Sequence, residues 1–270
     1  MNTVDNDALA EAYNRGLACE KAGDIDGAAR AYADVLRIDP GDRGGVSVRL
    51  AAMGRAPAPE RAPEAYVETL FDQHAEAFDA ILVDQLGYRT PEDLRAALAG
   101  RGPFARLLDL GCGTGLTGAA LADMTAHRTG VDISEGMVAI AHEKDLYDDL
   151  YVGEITAFLD GAAEGGETWD LIAATDVLPY LGEIGPLFAA AAGRLERGGL
   201  FAFSTESAPD AAFAGRGYMV GPLNRFAHAE DYLRAALTAA GLAALSFTAI
   251  VVRHDEGAPV PGQLVLARKT

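Results

Sequence analysis

Positive charge is scarce in this chain. Its 270 residues hold 22 Lys and Arg against 40 Asp and Glu, a formal net charge of −18 with His neutral. That balance disfavours phosphate backbones and anionic membranes, so neither nucleic acid nor membrane is expected as a partner. Cysteine is scarcer: Cys19 and Cys112 stand in unrelated segments. No disulfide framework or metal site is expected, and a reducing, cytoplasmic setting fits. No apolar run reaches the ~18 residues a membrane span needs. The opening residues are polar and acidic, unlike an export signal. Apolar residues are plentiful, at 50%. That supports one domain of ~200 residues with a small appendage.

The chain is organised around Leu107-Leu108-Asp109-Leu110-Gly111-Cys112-Gly113-Thr114-Gly115. An apolar run, Ala105 to Leu110, carries an acid near its end. Three alternate glycines follow, then a helical pattern from Leu116 to Met124. This predicts a buried parallel strand, a tight turn and a helix whose N-terminus offers free N–H groups. A dinucleotide fold would place G-x-G-x-x-G here to approach a pyrophosphate. An acid in the strand repels pyrophosphate and suits a ligand with an ammonium group.

This motif resembles the first motif of class I S-adenosylmethionine (SAM) methyltransferases. The resemblance implies an α/β Rossmann-like fold with a seven-stranded, mostly parallel sheet in order 3-2-1-4-5-7-6. It also implies SAM as cofactor and S-adenosylhomocysteine (SAH) as product. Asp109, Gly111, Cys112, Gly113 and Gly115 would then hold the cofactor. His127 to Ile133 reads as strand 2, and Asp132 at its end would accept both ribose hydroxyls. Ser134 caps the helix Glu135 to Lys144. Met137 falls where the family flanks adenine and Glu154 where it accepts the adenine amino N–H; the resemblance implies Ile133, Ile155 and Thr175 as further cofactor contacts.

Asp7 to Met53 reads as Ala-rich helices. Leu9 to Pro40 resembles one tetratricopeptide (TPR) repeat, through Gly16, Gly23-Asp24, Ala28, Tyr32 and Asp39-Pro40. Ala12 and Cys19 replace its usual aromatics. The whole resembles bacterial methyltransferases with an N-terminal TPR-like segment. The expected organisation is a TPR-like helical hairpin over 1–54, a semi-rigid Pro/Ala linker over 55–65, and a methyltransferase domain over 66–270. One repeat makes no peptide groove. A hairpin docked on the catalytic domain or used for dimerisation is expected ahead of partner recruitment.

Leu70 to Asp79 resembles the "F-D-x-x-A-x-x-Y-D" lead-in that lies over the cofactor cleft in small-molecule enzymes of the family. Thr90 is expected to cap a helix over 91–99, and Arg89 to pair with the SAM carboxylate. Asp176-Val177-Leu178-Pro179-Tyr180 follows strand 4, where the family presents its acceptor, and it lacks the Asn-Pro-Pro-Tyr motif of amino-group methylation. Ala208 to His228 lacks periodicity and reads as a loop or lid holding Tyr218, Arg225 and His228. His228, His74 and Asp176 are the candidate bases, in that order; Tyr180, Tyr218 and Arg225 are candidate acceptor contacts. The function implied is methyl transfer to an oxygen or nitrogen of a small molecule. A protein methyltransferase recruited through the TPR-like segment is the alternative, followed by a non-catalytic or dinucleotide-binding protein.

Overall fold

The computed structural model describes residues 5–270; the first four residues of the expected TPR-like segment lie outside the described residues. Three helices open it: α1 (Asn6–Lys21), α2 (Ile25–Ile38) and α3 (Val46–Ala52). Asp5 and Asp24 cap the first two, accepting from the N–H of Ala8 at 3.1 Å and of Gly27 at 2.8 Å. Gly16 lets α2 approach α1, because a Cβ there would lie 2.3 Å from the Tyr32 ring. The Tyr32 hydroxyl donates to Glu20 at 2.6 Å, and Arg49 of α3 lies 3.3 Å from the same carboxylate.

The segment 55–65 is no free spacer. Arg61 bridges Leu181 in antiparallel fashion, and the Ala62 N–H donates to the Tyr180 carbonyl at 2.8 Å. The Glu60 carbonyl accepts from the N–H of Gly182 and Glu183 at 2.8 and 2.7 Å. Long-range backbone pairing thus overrides the expectation drawn from the prolines.

Next come α4 (Glu64–His74), a 3₁₀ turn at Ala75–Ala77, a π-helical turn at Ala80–Gln85 and α5 (Thr90–Ala97). Arg89, not Thr90, occupies the cap position of α5; Thr90 is already helical, with Pro91 in the first turn.

The remainder alternates strand and helix: β1 (Phe104–Leu110), α6 (Leu116–Ala120), β2 (Thr125–Asp132), α7 (Glu135–Glu143), β3 (Asp149–Val152), α8 (Ile155–Gly165), β4 (Trp169–Ala174), α9 (Gly185–Arg194) and β5 (Leu195–Glu206). Then follow α10 (Asp210–Phe213), β6 (Tyr218–Val220), β7 (Phe226–His228), α11 (Glu230–Ala239), β8 (Leu242–Asp255) and β9 (Ala258–Lys269). β1 to β5 pair in parallel in the order 3-2-1-4-5. β9 joins β5 antiparallel, and β8 lies outside it. Counting β8 and β9 as the sixth and seventh main strands gives 3-2-1-4-5-7-6, the order expected.

The β6–β7 hairpin is an addition. It touches the sheet at the end of β5, where Glu206 pairs with Ala227. Residues 208–228 are therefore α10 plus a hairpin rather than a loop; three-residue strands are too short to show a period.

Side chains from β1 go to both faces, as a sheet covered on both sides requires. Leu108 and Leu110 join Trp169, Phe188, Phe201 and Phe203 in the larger core. Leu107 packs on the other face with Leu94, Leu98, Leu121 and Leu266. With both faces buried, the carboxyl ends of β1, β2 and β4 present their loops in one fixed line.

Candidate active site

A cleft opens at those carboxyl ends, beside the point where the strand order reverses. About 950 Å³ of empty space lies within it and its open mouth, part of that being open solvent.

Gly111, Cys112, Gly113 and Thr114 form one wall. The Gly111 and Cys112 N–H groups both donate to the Val131 carbonyl, at 2.8 and 3.0 Å, which draws the loop onto β2. Asp132 lines the cleft there. Its carboxylate accepts from the Gly113 N–H at 2.8 Å and the Ser134 N–H at 2.9 Å. Burial raises its pKa, while those N–H bonds oppose the rise. Ser134 also caps α7, accepting from the Met137 N–H at 3.1 Å.

Asp109 is fully buried behind this loop and does not line the cleft. The Tyr147 hydroxyl donates to its Oδ2 at 2.6 Å, and Oδ1 has no partner among the described residues. Desolvation pushes Asp109 up to about 7, against the pull of the Tyr147 bond. The Tyr147 ring fills a hollow beneath the loop. A Cβ at Gly118 would meet its hydroxyl at 2.6 Å, and one at Gly115, whose φ is +94°, would meet the ring at 3.2 Å. Gly115 therefore serves the inside of the loop; it is absent from the cleft wall.

Ile133, Glu154 and Ile155 line the far end. Glu154 caps α8, accepting from the Ala157 N–H at 2.8 Å, and Arg61 Nη1 stands 3.8 Å from its other oxygen. Met137 is fully buried on α7 and takes no part in the lining.

Across from the loop stand Thr175, Asp176, Val177, Tyr180 and Leu181. Asp176 adopts φ +57° and donates its N–H to Ser204 Oγ at 2.8 Å. A non-glycine residue held there is sparsely populated backbone, of the kind found at working sites. Burial raises the Asp176 pKa, opposed by the charges of Arg225 and Arg253. Tyr180 packs edge-on against Phe71 at 5.3 Å, and Phe71 against Phe78 at 5.9 Å, so aromatic rings close this end. The Arg225 guanidinium lies 4.4 Å over the Tyr180 ring and donates to its hydroxyl.

The lead-in helix covers the cleft with Val67, Phe71, Phe78 and Leu82, and two acids latch it down. Asp72 accepts from Ser134 Oγ at 2.5 Å and the Gly136 N–H at 3.1 Å. Asp79 accepts from Thr114 Oγ1 at 2.5 Å and Lys144 Nζ at 2.6 Å.

Besides Asp109, Gly115 and Met137, and Arg225 behind Tyr180, four more expected residues lie elsewhere. Arg89 is exposed and outside the cleft, because the helix it was expected to precede begins at Thr90 and turns it outward. His74 is exposed at the end of α4, its Nδ1 2.7 Å from the Leu70 carbonyl. His228 is buried away from the cleft beside Thr205, and desolvation pushes it down to about 4. Tyr218 packs with Phe226, His228 and Tyr232 behind Gly182. Sequence reasoning missed Tyr88, which lines the cleft, and Tyr147, Glu206 and Arg253. It also missed the latch, although Phe-Asp recurs at Phe71-Asp72 and Phe78-Asp79 two helical turns apart.

Fold and cleft together have the α/β Rossmann-like architecture of the methyltransferase fold. Residues 108–201 match the family described as "Methyltransferase domain". The ubiquinone biosynthesis O-methyltransferase of Xylella fastidiosa (strain 9a5c) is 32% identical over 62% of this chain and 66% of its own length. The chain spans 61% to 66% of the first three such curated relatives it matches. Among solved structures, the N-methyltransferase NodS of Bradyrhizobium japonicum WM9, bound to SAH, superposes with a TM-score of 0.58 at 19% identity, covering 75% of this chain and 98% of that one. The [4+2]-cyclase SpnF superposes at 0.59 with 18% identity, over 75% and 94%. These likenesses carry the fold.

Proposed function

We propose that this chain transfers a methyl group from SAM to a hydroxyl of a small molecule. The observation that carries the reading is Asp132, presented in the cleft with its carboxylate fixed by the Gly113 and Ser134 N–H groups beside the glycine loop. A preset carboxylate suits a ribose diol, which offers two O–H donors. The residues fit the cofactor's nucleoside end: Ile133 and Ile155 give apolar surface to an adenine, and Glu154 an acceptor for its amino group. The curated relatives named as O-methyltransferases support an oxygen acceptor.

Bound there, the cofactor supplies a methyl on a positively charged sulfur, already a good leaving group. The chain has to hold the acceptor in line and keep water out. Phe71, Phe78 and Tyr180 do both from one side. Asp176 replaces His228 and His74 as the base. Its carboxylate would take the acceptor's hydroxyl proton, while the bound cofactor would supply the methyl group and the leaving sulfur. Tyr180, steered by Arg225, orients the acceptor. Arg61, rather than Arg89, brings a cation to the cleft wall.

The N-terminal helices act as a docked buttress in this reading. Val48 of α3 packs with Tyr180, Val220 and Phe226, so the helices brace the acceptor wall. Pairing between two copies through the outer helices is compatible with that role. Free Cys19 and Cys112 fit a reducing cytoplasm. Among the described residues no helix is long and apolar enough to cross a membrane. SpnF shows that this fold also carries chemistry named a cyclisation, so turnover has to be measured and not only binding.

Titration calorimetry with SAM, SAH and NAD tests the reading. The wild type should bind both sulfur ligands at micromolar affinity and ignore NAD. Asp132→Ala should bind them roughly tenfold or more weakly, through lost charge-assisted hydrogen bonds. Affinity indifferent to Asp132 would overturn the assignment.

A further inference from the structure

Four charged side chains from four separate elements meet behind the acceptor wall. Asp176 follows β4, Glu206 ends β5, Arg225 lies in the β6–β7 turn and Arg253 sits in β8. The side chains of Arg253 and Glu206 are only 6% and 9% exposed. Arg253 Nη2 lies 2.7 Å from Glu206 Oε1, and Nη1 lies 4.0 Å from Asp176 Oδ1. Among the described residues, neither Nη1 nor Oδ1 has a hydrogen-bond partner, and both are buried. Burying such a group is costly, and packing alone would be served better by apolar side chains.

The backbone is bent to put Arg253 there. β8 pairs Val251 with Pro261 and then Arg253 with Val260, so a bulge falls at Val252. Regular alternation would place one of two neighbours outside. Here Val252 and Arg253 are both buried, while Val251 and His254 are exposed. A bulge that re-aims a side chain beside a cleft is a functional device more often than a defect.

We propose that Arg253 is a positioning residue for Asp176. From behind the cleft wall its guanidinium holds the Asp176 carboxylate ionised and turned toward the acceptor, and Glu206 fixes the guanidinium in place. The inference deepens the methyltransferase reading and rests on it. A neutral hydroxyl entering the site donates to the ionised Asp176 and loses its proton there. The other groups facing Asp176 are Arg225, which Asp176 opposes in charge, and Tyr88, whose hydroxyl lies among Thr90, Thr175 and Asp176. Asp255 faces Glu206 from the end of β8.

The test reads Asp176 directly, with no acceptor needed. Full-length protein carrying ¹³C-carboxyl aspartate is titrated by NMR, and the Asp176 signal is identified by its absence in Asp176→Asn. In Arg253→Gln the midpoint should rise by about one pH unit, because the stabilising cation is gone. Arg253→Lys should recover most of that shift. Glu206→Gln should move the midpoint the opposite way, since the cation is then shared with one carboxylate fewer. A lost structural contact would lower thermal stability without producing shifts of opposite sign. Midpoints within about 0.3 unit of wild type in the folded variants would overturn the proposal. If Arg253→Gln fails to fold, Arg253→Lys and Glu206→Gln decide it. Calorimetry of the wild type with SAH, run alongside, separates the two claims: no SAH binding sinks the methyltransferase reading, whatever the titration gives.

Discussion

Thr205 Oγ1 lies 2.6 Å from His228 Nδ1, and the imidazole stacks on Tyr232 at an interplanar angle of 13°. Enclosed there, it is pushed down to about 4 from an ordinary value of 6.5. Between those values the unfolded chain binds a proton that the folded chain refuses, so this residue makes stability rise with pH. The contribution is complete above about pH 6.5 and is lost as pH falls toward 4. His228→Gln should flatten that slope by an amount on the order of 2 kcal/mol, read as urea midpoints at pH 4.5 and 7. Tyr147 illustrates the same scale differently. Tyr147→Phe removes the one donor that the Asp109 carboxylate has among the described residues and should cost about 1–3 kcal/mol in chemical denaturation. It should also push Asp109 further up. Gly118→Ala should be at least as harmful, because its Cβ would displace the same ring.

At the scale of elements, the lead-in helix is held by its acids as well as by its apolar face. Asp79→Ala removes the contacts to both Thr114 and Lys144. The ion pair is partly exposed, so about 1 kcal/mol is at stake. That should appear as faster amide exchange over residues 64–86, with the sheet unchanged. The sheet itself was legible. β1, the glycine turn and the Ser134 cap each follow from local pattern, since a strand buried on both faces reads as a mainly apolar run. The additions were not legible. β6 and β7 are three residues each. Arg253 looks like an outward residue of an alternating strand until the bulge is known. Glu206 and Asp176 lie 30 positions apart in sequence, and nothing local announces that an arginine from β8 joins them. Arg89 was misplaced by one helical boundary.

At the scale of the molecule, the N-terminal helices and the sheet share a core. Val48 and Ala62 pack with Tyr180, Val220 and Phe226, and the 60–62 strap pairs with the loop after β4. A single cooperative transition in calorimetry follows from that sharing. Two resolved transitions would mean that the strap does not couple the parts. Ala62→Pro should test the coupling locally, because it deletes the N–H that bonds the Tyr180 carbonyl. The cleft should loosen and SAH affinity fall several-fold, with little change in helix content by circular dichroism.

The strap also sets a timetable. Its residues leave the ribosome early, but the surface they seal onto is finished only when Phe226 has been synthesised. At ~5–20 residues per second that wait lasts roughly ten to thirty seconds. During it the first helices have only their own small core around Tyr32 to hold them. Nascent chains arrested before Phe226 should be cut readily by protease between Gly54 and Pro63, and chains extended through Thr270 should resist.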